Sequence, residues 1–275
     1  MKKGNLLILC IAVLFSSCAS EFNRVYKAAD NDYKYEYAKQ CFAMGKYQQA
    51  STLLQDLVLI QKGRDNAQES LYLLGMAQYG NRDYESASAT FKKYYSTYPK
   101  GIFAEQASFY IGQSLYRSAP EPRLDQTPTI GALNAYQQFL DLYPDSELRP
   151  IAQQRLFDLQ DILVQKEYLS AELYYNLGGY FGNINANTES NYEACIITAQ
   201  NAMKNYPFSK IREKFSILIM KSKFELAENS SEERRLDRYR DAEDECYGFL
   251  NEYPESKECA TAEKFIAKCK KITMD

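Results

Sequence analysis

The chain is 275 residues long, 45% hydrophobic and 25% charged, with a formal net charge of −3 and no histidine. The missing imidazoles remove the commonest metal ligand, the usual general base and every Ser-His or Cys-His pair, and the mildly acidic balance offers no electrostatic footprint for nucleic acid. With 24 Tyr and 14 Phe but no Trp, the bulk of any core must come from phenol and phenyl rings.

Met1 to Ser17 reads as a signal peptide: Lys2-Lys3, an apolar run from Leu6 to Phe15, then Ser16-Ser17-Cys18. Ten apolar residues are too few to span a hydrocarbon core of about 30 Å, so the run is a targeting segment rather than an anchor helix. The ending LFSSC resembles a bacterial lipobox, which makes Cys18 the lipidated amino terminus of the mature chain. Acyl chains on that residue hold a protein firmly on a bilayer, each buried methylene adding about 0.8 kcal/mol. Ala19 follows Cys18 where an Asp would resemble an inner-membrane retention signal, so release to the outer membrane is expected. Loss of Lys2 and Lys3 with the leader takes the mature charge to −5.

Residues 18–31 form a lipidated, polar tether, and the helical patterns begin at Asp32. The sequence predicts helices over Asp32 to Met44, with Gly45 as terminator, and Tyr47 to Ile60, with a turn at Lys62-Gly63-Arg64-Asp65. A second pair runs Ala67 to Tyr79 and Tyr84 to Tyr98, and a third Ile102 to Tyr116 and Thr129 to Tyr143 around the Pro-punctuated loop SAPEPRLDQTP. Pro150 suits the first turn of a helix that no breaker interrupts before Leu177, so one long linker helix is expected there. A polar insertion follows from Gly178 to Ser190. The fourth pair then resumes at Tyr192 and ends at Pro207, the fifth spans Lys210 to Tyr253 with a charged extension at Glu232 to Arg240, and Glu258 to Lys271 caps the chain. The domain division is 1–17 leader, 18–31 tether, 32–149 for repeats one to three, and 150–275 for the linker helix, repeats four and five and the cap.

These pairs are copies of one unit. Ala38, Gly75 and Gly112 stand 37 residues apart, and the same step links Ala50 to Ala87. Tyr-Pro closes four units at Pro99, Pro144, Pro207 and Pro254; twelve residues earlier stand Ala87, Ala132, Cys195 and Ala242, all small. Tyr47, Tyr84, Tyr192 and Tyr239 each lie three residues before the small position of their own unit. The fold class is therefore all-α, a TPR-like helix-turn-helix solenoid of about five repeats with a carboxy-terminal capping helix.

Aligning the first helices on Ala38, Gly75, Gly112 and Ala171 gives two aromatic columns. Tyr35, Tyr72, Phe109 and Tyr168 precede the small residue by three, and Phe42, Tyr79, Tyr116 and Tyr175 follow it by four. Members seven apart share a helix face, and in TPR proteins that face lines a groove. Tyr35, Phe42, Tyr72, Tyr79, Phe109 and Tyr116 are thus a candidate peptide-binding strip of rings with polar tips, or else packing for the repeat interior.

No residue pattern indicates a catalytic, metal or cofactor site. Once Cys10 is lost with the leader, five cysteines besides Cys18 remain in the mature chain, at 41, 195, 246, 259 and 269, with no CxxC; Cys195 occupies a small-residue position, and a pairing among the last three is left open. The mixed run SEERRLDRYRDAEDE is read as a solvated helix face, and GNRDYES lacks the strand and lysine of a phosphate loop.

With lipobox, tether and repeats laid out, the chain resembles the BamD family of TPR lipoproteins. The resemblance rests on YEYAKQCFAMGKYQQASTLLQDL, SLYLLGMAQYGNRDYESASATFKKYYSTYPKG, SAPEPRLDQTPT and above all LQDILVQKEYLSAELYYNLGGY, and the insertion GNINANTESN departs from it. It implies a non-enzymatic part of the β-barrel assembly machinery, lipid-anchored at Cys18 on the periplasmic face of the outer membrane. The implied partners are a POTRA domain of the BamA-like barrel subunit, bound by the carboxy-terminal repeats, and the carboxy-terminal signal of unfolded outer-membrane proteins, received by the amino-terminal ones. Other assembly-machinery subunits are implied as well. A TPR lipoprotein that binds cell-wall or glycan ligands is the alternative, since aromatic rings also stack on sugars.

Overall fold

The computed structural model describes residues 21–178 and 190–274. The leader, Cys18 and the insertion up to Glu189 lie outside the described residues. Among these there are twelve helices and no strand: α1 (21–26), α2 (Asn31–Ala43), α3 (Tyr47–Ile60), α4 (Ala67–Gly80), α5 (Tyr84–Thr97), α6 (Ala104–Arg117), α7 (Thr127–Leu142), α8 (Arg149–Leu177), α9 (Asn191–Asn205), α10 (Arg212–Glu228), α11 (Glu232–Glu252) and α12 (Cys259–Thr273). The all-α, TPR-like class is the observed one, and boundaries fall within about two residues of those expected from the sequence. The charged extension is the first half of α11.

Local chemistry explains the punctuation. Tyr98, Tyr143, Tyr206 and Tyr253 share one backbone state, φ between −127 and −130° and ψ between 62 and 66°. The proline that follows each bars the α region to its predecessor and has no N–H to give, so four second helices stop at the same place. Three of the turns then repeat one bond. Ser146, Ser209 and Ser256 accept through Oγ from the amide two residues on, Leu148, Ile211 and Glu258. Within hairpins, Gly45 takes φ 72° after α2, and Arg82 takes the equivalent place after α4 at φ 63°, where a Cβ costs roughly 1 kcal/mol. Ser190 and Glu193 form a reciprocal capping box that starts α9.

The small-residue column is the packing seam. Ala50, Ala87, Ala132, Cys195 and Ala242 are all fully buried, as small residues at a helix–helix contact should be. Cys195 therefore acts as a small hydrophobe, as its place in the column suggested.

Packing divides the chain into two compact units, one ending at Leu159 and one beginning at Gln160, with the short stretch Glu121–Asp125 belonging to the second. The division falls inside α8, ten residues beyond Pro150. In the first unit one core gathers around Ala38, Leu53, Leu54 and Leu57, another around Ala87, Phe91, Tyr94 and Ala107, and Phe109, Tyr136 and Phe139 are buried against one another. The second has Ala171, Cys195 and Phe215 at one level, then Met220, Cys246 and Phe249, then Phe224, Tyr239 and Cys269. Each buried ring contributes about 1.5–3 kcal/mol, so the aromatic columns are a principal source of stability.

Candidate functional site

The two aromatic columns of the first helices are the place where the sequence pattern leaves chemistry to assign. Burial divides them. Tyr35 and Phe109 are 5% and 6% exposed and belong to the core, whereas Phe42, Tyr72, Tyr79 and Tyr116 are only half-buried.

Tyr72 lies flat on Phe103 with centroids 4.4 Å apart and an interplanar angle of 6°, and meets Phe91 and Tyr94 at its edges. Burial, with the neighbouring phenols of Tyr110 and Tyr94 adding to it, pushes its hydroxyl up to about 12. Phe109 is boxed by Tyr136 and Phe139. Tyr35 carries Lys39 over its ring at 4.8 Å, and burial followed by the adjacent Glu69 raises its hydroxyl well above the phenol range.

The second column shows why tyrosine recurs three residues before the small position. Phe42 meets Tyr47, Tyr79 meets Tyr84 and Tyr175 meets Tyr192 edge-on, at 5.5, 5.4 and 6.0 Å. Such pairs are worth about 0.5–1.5 kcal/mol beyond area burial, so each hairpin is latched by one T-shaped contact near its turn. The third hairpin is the exception. Thr129 stands where the tyrosine would be and bonds Gln126 instead, so Tyr116 has no ring from its own hairpin against it.

What Tyr116 has instead is an arginine. Arg155 on α8 places its guanidinium 4.5 Å from the centre of the Tyr116 ring, and its Nη1 donates to Tyr116 Oη at 2.9 Å and to Asp158 Oδ2 at 3.2 Å. Tyr116 in turn donates to Asp158 at 3.0 Å. Burial raises the Asp158 carboxyl, but bonds from Gln154, Tyr116 and Arg155 outweigh it and hold the group below the usual carboxylate range. One helical turn back along α6, Gln113 donates to Tyr79 Oη at 3.2 Å and accepts from Tyr136 Oη at 2.6 Å. Burial raises the Tyr136 hydroxyl strongly, and Arg155, Tyr79, Tyr116 and Asp158 all act on it, so α4, α6, α7 and the start of α8 share one polar cluster within the first unit.

The pattern therefore located Tyr79 and Tyr116 but missed Arg155, Asp158 and Tyr136. Two signals were available: the gap in the tyrosine column at Thr129, and the Arg155/Asp158 spacing of three on one helix. Among the described residues no group of His, Cys, Asp and Glu is placed to hold a metal ion, and the five described cysteines are free thiols.

The charge run on α11 is largely exposed, with Arg238 turned inward to Glu193 at 2.6 Å and to Ser230. Lys223, 14% exposed, reaches from α10 to Asp241 and Glu245 of α11 at 2.9 and 2.8 Å.

Among the described residues no helix is long and apolar enough to cross a membrane. No curated protein matches the chain. A family model described as YfiO, outer membrane lipoprotein, matches residues 27–189, more than half of the chain and all of α2 to α8. The chain belongs to that family, the BamD family of outer-membrane lipoproteins.

Proposed function

We propose that this protein is a non-enzymatic scaffold of the β-barrel assembly machinery, anchored through lipidated Cys18 at the periplasmic face of the outer membrane. The observation that carries the reading is the family match across residues 27–189, which takes in the linker helix as well as the first three repeats. In this reading the second unit binds a POTRA domain of a BamA-like barrel subunit. The first unit receives the carboxy-terminal signal of unfolded outer-membrane proteins before they fold and insert. Other machinery subunits would attach to the same scaffold.

The receiving surface is the aromatic face of α2, α4 and α6. Half-buried Phe42, Tyr72, Tyr79 and Tyr116 offer ring edges and hydroxyls, and buried Tyr35 and Phe109 form the floor beneath them. Rings with polar tips suit an extended segment, because apolar side chains fill gaps between rings while hydroxyls reach main-chain groups.

The test is purification of the protein from its own membranes in mild detergent, with mass spectrometry of what accompanies it. Stoichiometric recovery of a POTRA-bearing barrel protein supports the reading. Recovery of polysaccharide-handling proteins with no POTRA protein would replace it with the glycan-binding alternative.

A further inference from the structure

The chain that joins Cys18 to the fold has little slack. Only Ala19 and Ser20 separate it from α1, and an extended chain covers at most about 3.6 Å per residue, so Glu21 stays within roughly 11 Å of Cys18. α1 is itself fixed to the first hairpin: Val25 is fully buried in the core around Ala38 and Leu54, and Phe22 packs against the same core and stacks on Tyr26 at 6.0 Å. A lipid on Cys18 therefore holds the first repeat against the bilayer as a folded body.

The side of that body that meets the bilayer follows from topology. Successive helices joined by short turns run antiparallel, so each first helix starts, and each second helix ends, at one edge of the first unit. α1 leads into that edge, where α2 begins. Over the first two repeats the large apolar side chains exposed there are Tyr33 in the first turn of α2, Leu59 and Ile60 in the last turn of α3, and Ile102 in the turn before α6. Leu59 and Ile102 are 72% and 78% exposed. At the opposite edge of the same repeats, among the described residues, Met44 alone is left so exposed.

The polar groups of this edge suit a bilayer as well. Lys27, Lys62, Arg64 and Lys100 are exposed there, and none is in an ion pair among the described residues. Such side chains lay their apolar stems along an interface and keep their charged heads at headgroup level. Asp30, Asp32, Asp65 and Glu69 stand among them and balance their charge, so the attraction to lipid comes from the apolar row. Tyr33 adds a ring with a polar tip, the kind of side chain enriched at membrane interfaces.

We propose that this edge of the first two repeats lies in the headgroup layer of the membrane that holds Cys18, with Tyr33, Leu59, Ile60 and Ile102 turned toward the acyl chains. This rests on the lipid anchoring proposed above and goes beyond it. The anchor attaches the chain, whereas the edge fixes which way the repeats, and the aromatic face of α2 and α4 with them, stand on the bilayer.

The chain has no tryptophan, so a single introduced one reports alone. Leu59→Trp, Ile102→Trp and, at the opposite edge, Met44→Trp are made in the full lipidated chain and reconstituted into phosphatidylcholine vesicles with and without bromine on the acyl chains. Interfacial side chains sit about 5–10 Å into the boundary between headgroups and acyl chains, so the two edge variants should lose roughly a third or more of their emission to bromine and Met44→Trp almost none. Adding Leu59→Glu to Ile102→Trp should lower the quenching while the protein still floats with the vesicles through Cys18. Equal quenching of the three single variants, or none in any of them, overturns the inference and leaves the anchor in place. So does edge emission that is blue-shifted but unquenched, which would mean that a second copy of the chain covers the edge. If the unaltered protein does not float with the vesicles, the lipid anchoring itself fails and the inference with it.

Discussion

The amide of Phe103 donates to the hydroxyl of Tyr94 at 3.2 Å, nine residues back across the turn from α5 to α6. In the corresponding turns after α7, α9 and α11 that amide is taken by a serine two residues earlier, and the serine's place is held here by Gly101. The exchange is reciprocal, because a Cβ on Gly101 would lie 2.6 Å from Tyr94 Oη, while two of the serine turns have Phe139 and Phe249 at the tyrosine's position. Tyr94→Phe should therefore cost about 1–2 kcal/mol by orphaning a turn amide, and Gly101→Ser a similar amount by collision. Together they should cost less than the sum, because the serine supplies the acceptor that the phenylalanine lacks and loss of the hydroxyl removes one of two equal collisions, the other being with Gln68 Oε1 at 2.6 Å. Urea unfolding of the two single variants and the double one measures the coupling, and strict additivity would refute the exchange.

Gly75 shows the same reciprocity inside a hairpin. A Cβ there would meet the Phe91 ring at 2.7 Å, and one on Gly112 would meet the Tyr136 ring at 3.0 Å. The other two members of this column are Ala38 and Ala171, whose cores hold Leu54 and Ala199 where the rings would be. Glycine thus appears where the opposing helix carries a ring. Gly75→Ala should destabilise by about 1–3 kcal/mol, and adding Phe91→Leu should recover part of it. A Gly75→Ala protein with an unchanged urea midpoint would show that the ring simply turns aside.

These two relations also show what the sequence made legible. Spacing of small and aromatic residues sufficed for the helices, the hairpin order and the turns, because each depends on residues close in sequence. The allocation of aromatic rings between core and surface did not follow, since it is decided by the neighbouring repeat. Phe109 is buried because Tyr136 and Phe139 close over it, while Tyr79, in the other column, is only half-covered. Arg155 was hidden for the same reason. Its partner Tyr116 lies 39 residues away, and the sequence records the difference only indirectly, in the threonine at 129 and the spacing of Arg155 and Asp158.

The cysteines give a prediction about reactivity. Cys246 is pushed up to about 12 and Cys269 to about 11, in both cases first by burial, and burial raises Cys41 and Cys195 as well. Since the thiolate is the reactive form, these four should resist alkylation in the native protein. Cys259 is partly exposed at the start of α12. Brief iodoacetamide treatment followed by peptide mass spectrometry should find Cys259 modified first and the other four only in denaturant. Native labelling of Cys246 or Cys269 at a rate matching Cys259 would mean that α11 and α12 separate readily.

The phenols make stability fall on the alkaline side. Burial raises Tyr72 to about 12, burial together with Tyr95 does the same for Tyr143, and burial together with Glu172 for Tyr168; Tyr35 and Tyr136 are raised further. A phenol whose folded value exceeds its unfolded value of 10 keeps its proton more tightly in the native state. Its contribution is complete below pH 10 and is lost as pH rises through the folded value. Lys223 acts in the same direction, because Glu245 and Asp241 outweigh its burial and raise it. Each proton held only by the fold changes stability by up to about 1.4 kcal/mol per pH unit, so several acting together should lower the melting midpoint by roughly several degrees per unit above pH 10. Tyr72→Phe removes one such proton and no hydrogen bond of the described structure, so it should leave the midpoint at pH 7 nearly unchanged and make the alkaline fall shallower. Thermal circular dichroism between pH 7 and 12 on the two proteins decides it, and parallel curves would show that Tyr72 ionises as freely in the fold as out of it.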